Sequence, residues 1–153
     1  MISWHRSLAL AALLCGVAVS SIAHEGATGP AKDRMDLMGD MGQHLKAIAK
    51  RLNANRDLAA VANDADRIAE LAPRIPDLFP AGSDRGITDA KPAIWQHWDE
   101  FVGDEKKLDD EVKKLSALAA SGDPRALADQ YRAVTKACVA CHESFRRGRA
   151  DKL

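Results

Sequence analysis

Apolar residues recur every three or four positions along most of the chain, which is the spacing of amphipathic helices. The first helix is predicted at about residues 31–52. Its apolar stripe consists of Met35, Met38, Gly42, Leu45 and Ala49. A second helix is predicted from Leu58 to Ala72, and the prolines at 73 and 76 end it. A loop containing Pro80, Gly82 and Gly86 follows.

Two further helices are predicted after this loop. The third begins near residues 88–89, has Pro92 in its first turn, and ends at 121–122. Its stripe consists of Ile94, Trp95, Trp98, Phe101, Val102, Leu108, Val112, Leu115 and Ala119. The fourth is capped by Asp123, with Pro124 in its first turn. Its stripe consists of Leu127, Tyr131, Val134, Cys138, Cys141 and Phe145.

No segment alternates apolar and polar residues in the way that a half-buried strand does. Four amphipathic helices joined by short or moderate connections indicate an all-α protein, an antiparallel four-helix bundle. We assign residues 24–153 to this single domain, and the sequence shows no sign of a second one.

The first 23 residues have the pattern of a secretory signal peptide. A short basic start precedes an apolar run from Leu8 to Val19, and Ser21-Ile22-Ala23 provides the small residues of a cleavage site. As a membrane anchor the apolar run is short. We therefore expect cleavage after Ala23, no membrane anchor in the mature chain, and export to an oxidising compartment, most simply the bacterial periplasm.

Composition and charge argue against several classes of protein. Hydrophobic residues make up 46% of the chain and charged residues 29%, as in ordinary soluble globular proteins. The 22 basic and 22 acidic residues balance, and only 5% of residues are aromatic. A nucleic-acid partner is not expected, because such proteins carry a basic excess and often aromatic stacking platforms.

The strongest chemical signal is Cys138-Val139-Ala140-Cys141-His142, the pattern of c-type haem attachment. On a helix, two thiols at i and i+3 lie on one face, where they can reach the two vinyl groups of a porphyrin. His142 follows at i+4 from Cys138, within about 100° of the helix circumference. The imidazole can therefore meet the iron from the ring face that the thioethers hold.

Three alternatives to haem remain for these cysteines. A thioredoxin-like redox pair would need a strand before the motif, and none is predicted. A zinc site would need a remote fourth ligand, such as His44 or His97. A structural disulfide would close too short a loop to constrain the chain much.

The C-terminal segment from Cys138 to Arg146 resembles the class II cytochromes c, which include the cytochromes c prime. The segments Leu78–Ser83 and Ala93-Ile94-Trp95 are similar to the family's loop between its second and third helices and to the start of its third helix. The resemblance implies one covalently bound haem c (iron) per chain. It also implies that Cys138 and Cys141 attach the haem, that His142 is the proximal iron ligand, and that Arg146 lies beside the haem and this imidazole.

The same resemblance implies that one residue of the first helix lies over the iron. Aligning Ala47–Lys50 with the family's similar ending of that helix places Met35 over the iron, where a thioether would complete the coordination. Met38 takes this position if the register slips by one turn, and an open site is the third alternative. Many family members carry an arginine four residues earlier. The Met35 register puts Ala31 there, with Arg34 nearby.

The expected function is that of a periplasmic mono-haem electron carrier with His142 and Met35 as axial ligands. The alternative is a five-coordinate, high-spin cytochrome c prime that binds nitric oxide or carbon monoxide. No nucleophile–base set or phosphate loop suggests an enzyme. The expected partners are unidentified redox proteins, and the resemblance also allows a homodimer. The positive charge around the haem end either steers such a partner or is an ordinary solvated helix end. The carrier and the gas binder differ in whether a protein ligand fills the sixth position.

Two further groups of residues have open roles. Trp95, Trp98 and Phe101 either line the haem or fill the core of the bundle. His44 lies about 180° from Met35 around the helix and is interpreted as a surface histidine, as are His24 and His97.

Overall fold

The computed structural model describes residues 26–148, so the predicted signal peptide, its cleavage at Ala23 and His24 lie outside the described residues. Within this range the chain is helical and contains no strand. The five α-helices are α1 (Gly29–Ala54), α2 (Val61–Leu71), α3 (Ala93–Gln96), α4 (Trp98–Ala119) and α5 (Pro124–Phe145). Three short 3₁₀ turns occupy Leu58–Ala60, Ala72–Arg74 and Pro76–Leu78.

The predicted all-helical bundle is confirmed, with one difference in the third helix. The chain leaves helical geometry at His97, where φ is −125° and ψ is 50°, so the predicted helix is split into α3 and α4. The N-cap of α5 is as predicted: Asp123 Oδ1 accepts hydrogen bonds from the backbone N–H groups of Arg125 (2.9 Å) and Ala126 (3.4 Å). A carboxylate at this position satisfies orphan donors of the first turn.

The four long helices pack unevenly around the bundle. Extensive contacts join α1 to α2, α2 to α4 and α4 to α5, whereas α1 and α5 touch sparsely. Tyr131 on α5 donates a long hydrogen bond of 3.4 Å to the backbone oxygen of Leu45 on α1. At one end of the bundle, Arg34 of α1 and Arg147 just beyond α5 both bond to Thr88. The Tyr131–Leu45 hydrogen bond and the shared contact with Thr88 together show that α1 and α5 run antiparallel.

Aromatic rings fill the core near the C-terminal end of α5. Phe101 is buried and makes edge contacts with Phe79 (4.8 Å between centroids) and Phe145 (5.4 Å). Trp95 and Trp98 are half-buried and pack against this core. The indole N–H of Trp95 donates to the backbone oxygens of Phe79 (3.0 Å) and Pro80 (3.1 Å), which fixes the loop before α3. Phe101 is therefore a core residue, and Trp95 joins the core to that loop.

None of the helices in the part of the chain that the structure describes is long and apolar enough to cross a membrane.

Candidate functional site

The cysteines and the histidine of the motif lie on the last two turns of α5. Cys138 and Cys141 are both free thiols, half-buried and packed against the core. His142 is also half-buried. Helical geometry places the three side chains on adjoining positions of one face, because residues three and four apart are neighbours on a helix. The structure thus brings these three predicted residues together.

Burial governs the ionisation of this group. It raises the pKa of the Cys141 thiol to about 12, with a further contribution from the nearby Asp104 carboxylate. Burial also raises the pKa of Cys138. The pKa of His142 is lowered, first by burial and second by the positive charge of Arg146. At neutral pH the site therefore presents two protonated thiols and a neutral imidazole, and the neutral imidazole is the form that ligates a metal.

On the facing helix, the three methionines of α1 differ in their surroundings. Met41 is buried in the core, and Met38 is half-buried and packs against that core. Met35 is also half-buried, but it is not one of the side chains within residues 26–148 that pack against the core. Met38 lies seven residues before Leu45, which is two turns along the same helix face. Cys138 lies seven residues after Tyr131 on the antiparallel α5, so Met38 and Cys138 are equally far along their helices from the Tyr131–Leu45 hydrogen bond.

Arg34 is a buried side chain near this site that the sequence reasoning did not single out. Only 5% of it is exposed. Its guanidinium donates to Ser83 Oγ (3.1 Å), to the Ser83 backbone oxygen (2.8 Å) and to Thr88 Oγ1 (3.4 Å), and it lies 4.6 Å from the centroid of the Phe79 ring. Arg34 lies four residues before Met38. Many members of the family that the sequence resembles carry an arginine four residues before the position over the iron, and this spacing was the signal in the sequence that could have identified Arg34.

Arg146 follows the end of α5 rather than continuing it. Its backbone is extended (φ −113°, ψ 135°), because residues 89–91 pair with residues 145–147 and hold this segment. The side chain is exposed, and its Nη2 donates to Asp89 Oδ2 at 3.3 Å. Its charge nevertheless acts on His142, as the lowered pKa of that imidazole shows. Arg146 is thus close to the predicted proximal ligand.

The remaining histidines of the described range have other roles. His44 Nδ1 lies 2.8 Å from Asp64 Oδ1 on α2, and Arg51 bonds to the other oxygen of the same carboxylate. His44 therefore joins α1 to α2. His97 is exposed at the break between α3 and α4, with Nδ1 3.7 Å from Glu100 Oε1. Residues 26–148 contain no group of three or more His, Cys, Asp or Glu side chains that could hold a metal ion.

The chemistry of the donor set fits a covalently attached haem. The two thiols are unpaired, they lie on one helix face, and a neutral imidazole adjoins them. Two helices that contact each other sparsely, α1 and α5, both carry half-buried apolar side chains that pack against the core: Met38, Leu45, Tyr131, Cys138 and Cys141. Apolar walls on both sides are what a porphyrin requires, and the residues present fit this group.

Comparison with known proteins identifies the family. The family model described as Cytochrome C′ matches residues 30–146, which is most of the chain. The chain belongs to the cytochrome c′ family. A cytochrome c′ from Pararhodospirillum photometricum is 35% identical over 69% of this chain and 86% of its own length. The cytochrome c′ of Rhodospirillum rubrum is 32% identical over 74% and 78% of the two chains. A cytochrome c-556 from Agrobacterium fabrum is 30% identical over 78% and 82%.

Solved structures of this family have the same bundle. A cytochrome c′ with an unusual ligand-controlled dimer dissociation aligns with a TM-score of 0.73 and 24% identity, covering 80% of this chain and 99% of its own, and this likeness shows the fold. A nitric oxide complex of a cytochrome c prime variant from Alcaligenes xylosoxidans aligns with a TM-score of 0.70 and 26% identity, over 78% and 94%. The predicted cofactor, covalently bound haem c with its iron, is confirmed as that of the family.

Proposed function

We propose that this chain is a periplasmic mono-haem cytochrome that binds a small gas, nitric oxide or carbon monoxide, on the face of the haem opposite His142. The observation that carries the haem assignment is the motif on the last turns of α5, with both thiols free and half-buried. Gas binding is supported by the cytochrome c′ relatives and by the nitric oxide complex solved for one of them.

Each residue of the motif has a defined task in this proposal. Cys138 and Cys141 would form the thioether bonds, and their packing against the core would fix the orientation of the ring. His142 would supply the proximal nitrogen, and its lowered pKa keeps that nitrogen unprotonated. Arg146 would contribute positive charge beside this imidazole. Bound haem supplies an iron that changes between ferrous and ferric states and can take up a diatomic ligand.

The face of the haem opposite His142 would be lined by side chains of α1. Met38 would be the residue nearest to the sixth position, because it shares the helix face of Leu45 and packs against the core. The apolar side chains of this face would keep bulk water from the iron. The proposal requires that the Met38 thioether packs in this wall without ligating the metal.

A second candidate function is electron transfer with a methionine as sixth ligand. The observation that favours it is Met38 itself, since a thioether on the core-facing side of α1 is suitable to ligate iron. The alternative ligand is Met35, which the alignment with the family's helix ending places over the iron. A filled sixth position would exclude gas and keep reorganisation small during each electron transfer.

The visible absorption spectrum of the ferrous holoprotein, with and without carbon monoxide, tests the proposal. The protein should be matured by export, so that haem attachment is complete. We expect a broad high-spin spectrum that changes promptly when carbon monoxide is added. Sharp low-spin bands that resist the gas would contradict the open site and favour the electron carrier.

Two methionine variants make this test specific. In the gas-binding account, Met38→Ala and Met35→Ala both leave the ferrous protein high-spin, and Met38→Ala accelerates carbon monoxide binding by relieving crowding. In the carrier account, only the variant that removes the ligand turns the protein high-spin. Met41→Leu, which conserves volume in the core, serves as the matched control and should leave the spectrum unchanged.

A further inference from the structure

Glu105 is a buried carboxyl group that the proposed function does not use. It lies in the apolar stripe of α4, between Phe101 and Leu108, and is one of two buried charged residues within residues 26–148. The other is Arg34, whose hydrogen bonds to Ser83 and Thr88 account for its burial. An ionised carboxylate in an apolar stripe is unfavourable unless it is paired, so Glu105 needs an explanation of its own.

The neighbouring carboxyl group of Asp109 has an acceptor oxygen without a donor. Asp109 lies four residues after Glu105, so the two side chains are neighbours on the surface of α4. Its Oδ2 accepts a hydrogen bond from Lys113 Nζ at 2.6 Å, while Oδ1 is buried and has no partner among residues 26–148. A protonated Glu105 carries an O–H donor beside this oxygen, whereas an ionised Glu105 carries only acceptors. A proton held between the two groups would therefore satisfy Oδ1 and remove the buried charge of Glu105.

The charges on α4 favour this proton. Burial contributes most to the raised pKa of Glu105, and the Asp109 carboxylate contributes next. Lys106 and Lys113 oppose this effect, and Asp110 adds to it weakly. The excess of negative charge beside a buried carboxyl group makes the protonated form the favoured one.

The elements packed against α4 bring few titratable groups to the core. The buried residues of α2 and of the turn after it are apolar. On α1 and α5 the titratable groups that are buried or packed against the core are the following: Arg34, Tyr131, Cys138 and Cys141. Burial raises the pKa of the phenol and of both thiols, so only Arg34 is charged at neutral pH. Arg34 lies against the Phe79 ring, which contacts Phe101 one turn before Glu105.

The packing of α4 on α5 places Glu105 level with Cys141. The two helices are consecutive and in extensive contact, and the rings of Phe101 and Phe145 lie 5.4 Å apart. Glu105 follows Phe101 by four residues and Cys141 precedes Phe145 by four, so both lie about one turn from this ring contact. The carboxylate of Asp104, adjacent to Glu105, acts on the Cys141 thiol, which supports the same level independently.

We propose that Glu105 and Asp109 share one proton and that this proton is coupled to the oxidation state of the haem iron. The proposal rests on the proposed function, because only an attached haem supplies an iron whose charge changes. The ionised pair takes up one proton from solvent as the iron gains one electron from a one-electron donor. One O–H bond forms on Glu105 as one breaks in hydronium, and re-oxidation of the iron reverses both changes.

The coupling is electrostatic. Two negative charges on the pair stabilise ferric iron more than ferrous iron, and protonation removes one of these charges. Coupling between two sites is reciprocal. The protonation state of the pair therefore shifts the reduction potential by the same free energy by which the iron shifts the proton affinity of the pair.

Carbon-13 NMR of the carboxyl carbons tests the shared proton. The sample is the ferrous holoprotein under carbon monoxide, labelled at the glutamate and aspartate carboxyl carbons. We expect one glutamate signal to titrate well above pH 4.5 and to be absent from Glu105→Gln. Asp109→Asn removes the negative neighbour and should move this titration to lower pH. The exposed Asp110→Asn is the matched control and should move it much less.

The reduction potential measured as a function of pH tests the coupling. The potential of the wild type should fall as the pair ionises, because the additional negative charge favours ferric iron. Glu105→Gln should lose this fall and keep the more positive potential of the acidic side at alkaline pH. The exposed Glu100→Gln should retain the wild-type profile. In the reduced-minus-oxidised infrared spectrum, we expect a carboxylic acid C=O band that shifts in deuterium oxide and is absent from Glu105→Gln.

Several results would overturn the proposal. A Glu105 signal that titrates in the ordinary glutamate range would refute the shared proton. Equal pH profiles of the potential in the wild type and Glu105→Gln would refute the coupling. Haem content and the visible spectrum are measured first on every variant. A wild type without haem refutes the proposed function, whereas a holoprotein in which Glu105→Gln changes neither measurement refutes only the proton coupling.

Discussion

Glu105 is a carboxyl group in the apolar stripe of α4, with only 8% of the residue exposed. Burial raises its pKa, and the neighbouring Asp109 carboxylate raises it further. Asp109 is itself constrained: Oδ2 accepts a 2.6 Å hydrogen bond from Lys113, while Oδ1 is buried and has no partner among residues 26–148. The ionised form of Glu105 is therefore unfavourable in the folded protein.

This placement predicts a pH-dependent effect of Glu105→Gln. The native carboxyl holds its proton to higher pH than the unfolded one, so the free energy of unfolding falls as pH rises from about 4.5 through the native pKa. Glutamine does not titrate and removes this loss. The variant should be more stable than the wild type at pH 7 and equal to it near pH 4. Guanidinium unfolding of the two holoproteins measures this difference.

The exposed Glu100→Gln is the control for this effect, and it should change stability little at either pH. A Glu105→Gln variant that is destabilised at pH 7 would show that the carboxylate is ionised and usefully bonded in the folded state.

At the residue scale, the sequence predicted the motif but not the surroundings of each side chain. Cys138, Cys141 and His142 were identifiable because their spacing is tied to one chemistry. The choice between Met35 and Met38 depended on how the first helix is aligned with the family's first helix. A shift of that alignment by one turn still places an apolar residue over the iron, so the apolar stripe does not decide between them. Arg34 was not identified because burial of a cation follows from contacts with Ser83 and Thr88, about fifty residues away.

At the element scale, the loop between the 3₁₀ turn Pro76–Leu78 and α3 is held by contacts with helices on both sides. Arg34 of α1 bonds to Ser83 and Thr88, and the Trp95 indole bonds to the backbone of Phe79 and Pro80. The same loop pairs with the end of α5 through residues 89–91. It therefore fixes the position of the helix end that carries the haem motif.

Replacement of Arg34 tests the contribution of this loop. Arg34→Ala removes hydrogen bonds from a charged donor and the contact with the Phe79 ring, so the free energy of unfolding of the holoprotein should fall by about 2 kcal/mol. Arg34→Lys should recover only part of this, because an ammonium lacks the planar fork that reaches both Ser83 and Thr88. Denaturant unfolding followed by circular dichroism measures both.

The neighbouring exposed pair provides the comparison. Lys32→Ala removes a surface ion pair with Asp36 and should lower the free energy of unfolding much less than Arg34→Ala does. Equal losses in Arg34→Ala and Lys32→Ala would show that the buried guanidinium does not stabilise the loop.

Helix boundaries were predictable where a local signal set them. Asp123 and Pro124 marked the start of α5, because capping depends on adjacent residues. The break at His97 was not predicted, because the apolar stripe continues from Trp95 through Trp98 without interruption. Its position depends on tertiary contacts, in which Trp95 turns toward the loop while Trp98 and Phe101 pack together.

At the scale of the whole molecule, helical periodicity and the motif together predicted the bundle and the family. The relatives and the family model confirm both. The state of the sixth coordination position was beyond the sequence, because one thioether can either ligate the iron or pack beside it, depending on its distance from the iron.

The intact mass of the denatured, exported protein tests directly whether Cys138 and Cys141 hold one haem covalently. We expect a mass equal to the processed chain plus one haem, with the haem retained after acid–acetone extraction. The double variant Cys138→Ser/Cys141→Ser should lose the haem under the same treatment. A wild type that has the mass of the bare chain after maturation in a host able to attach haem c would show that these cysteines do not hold haem.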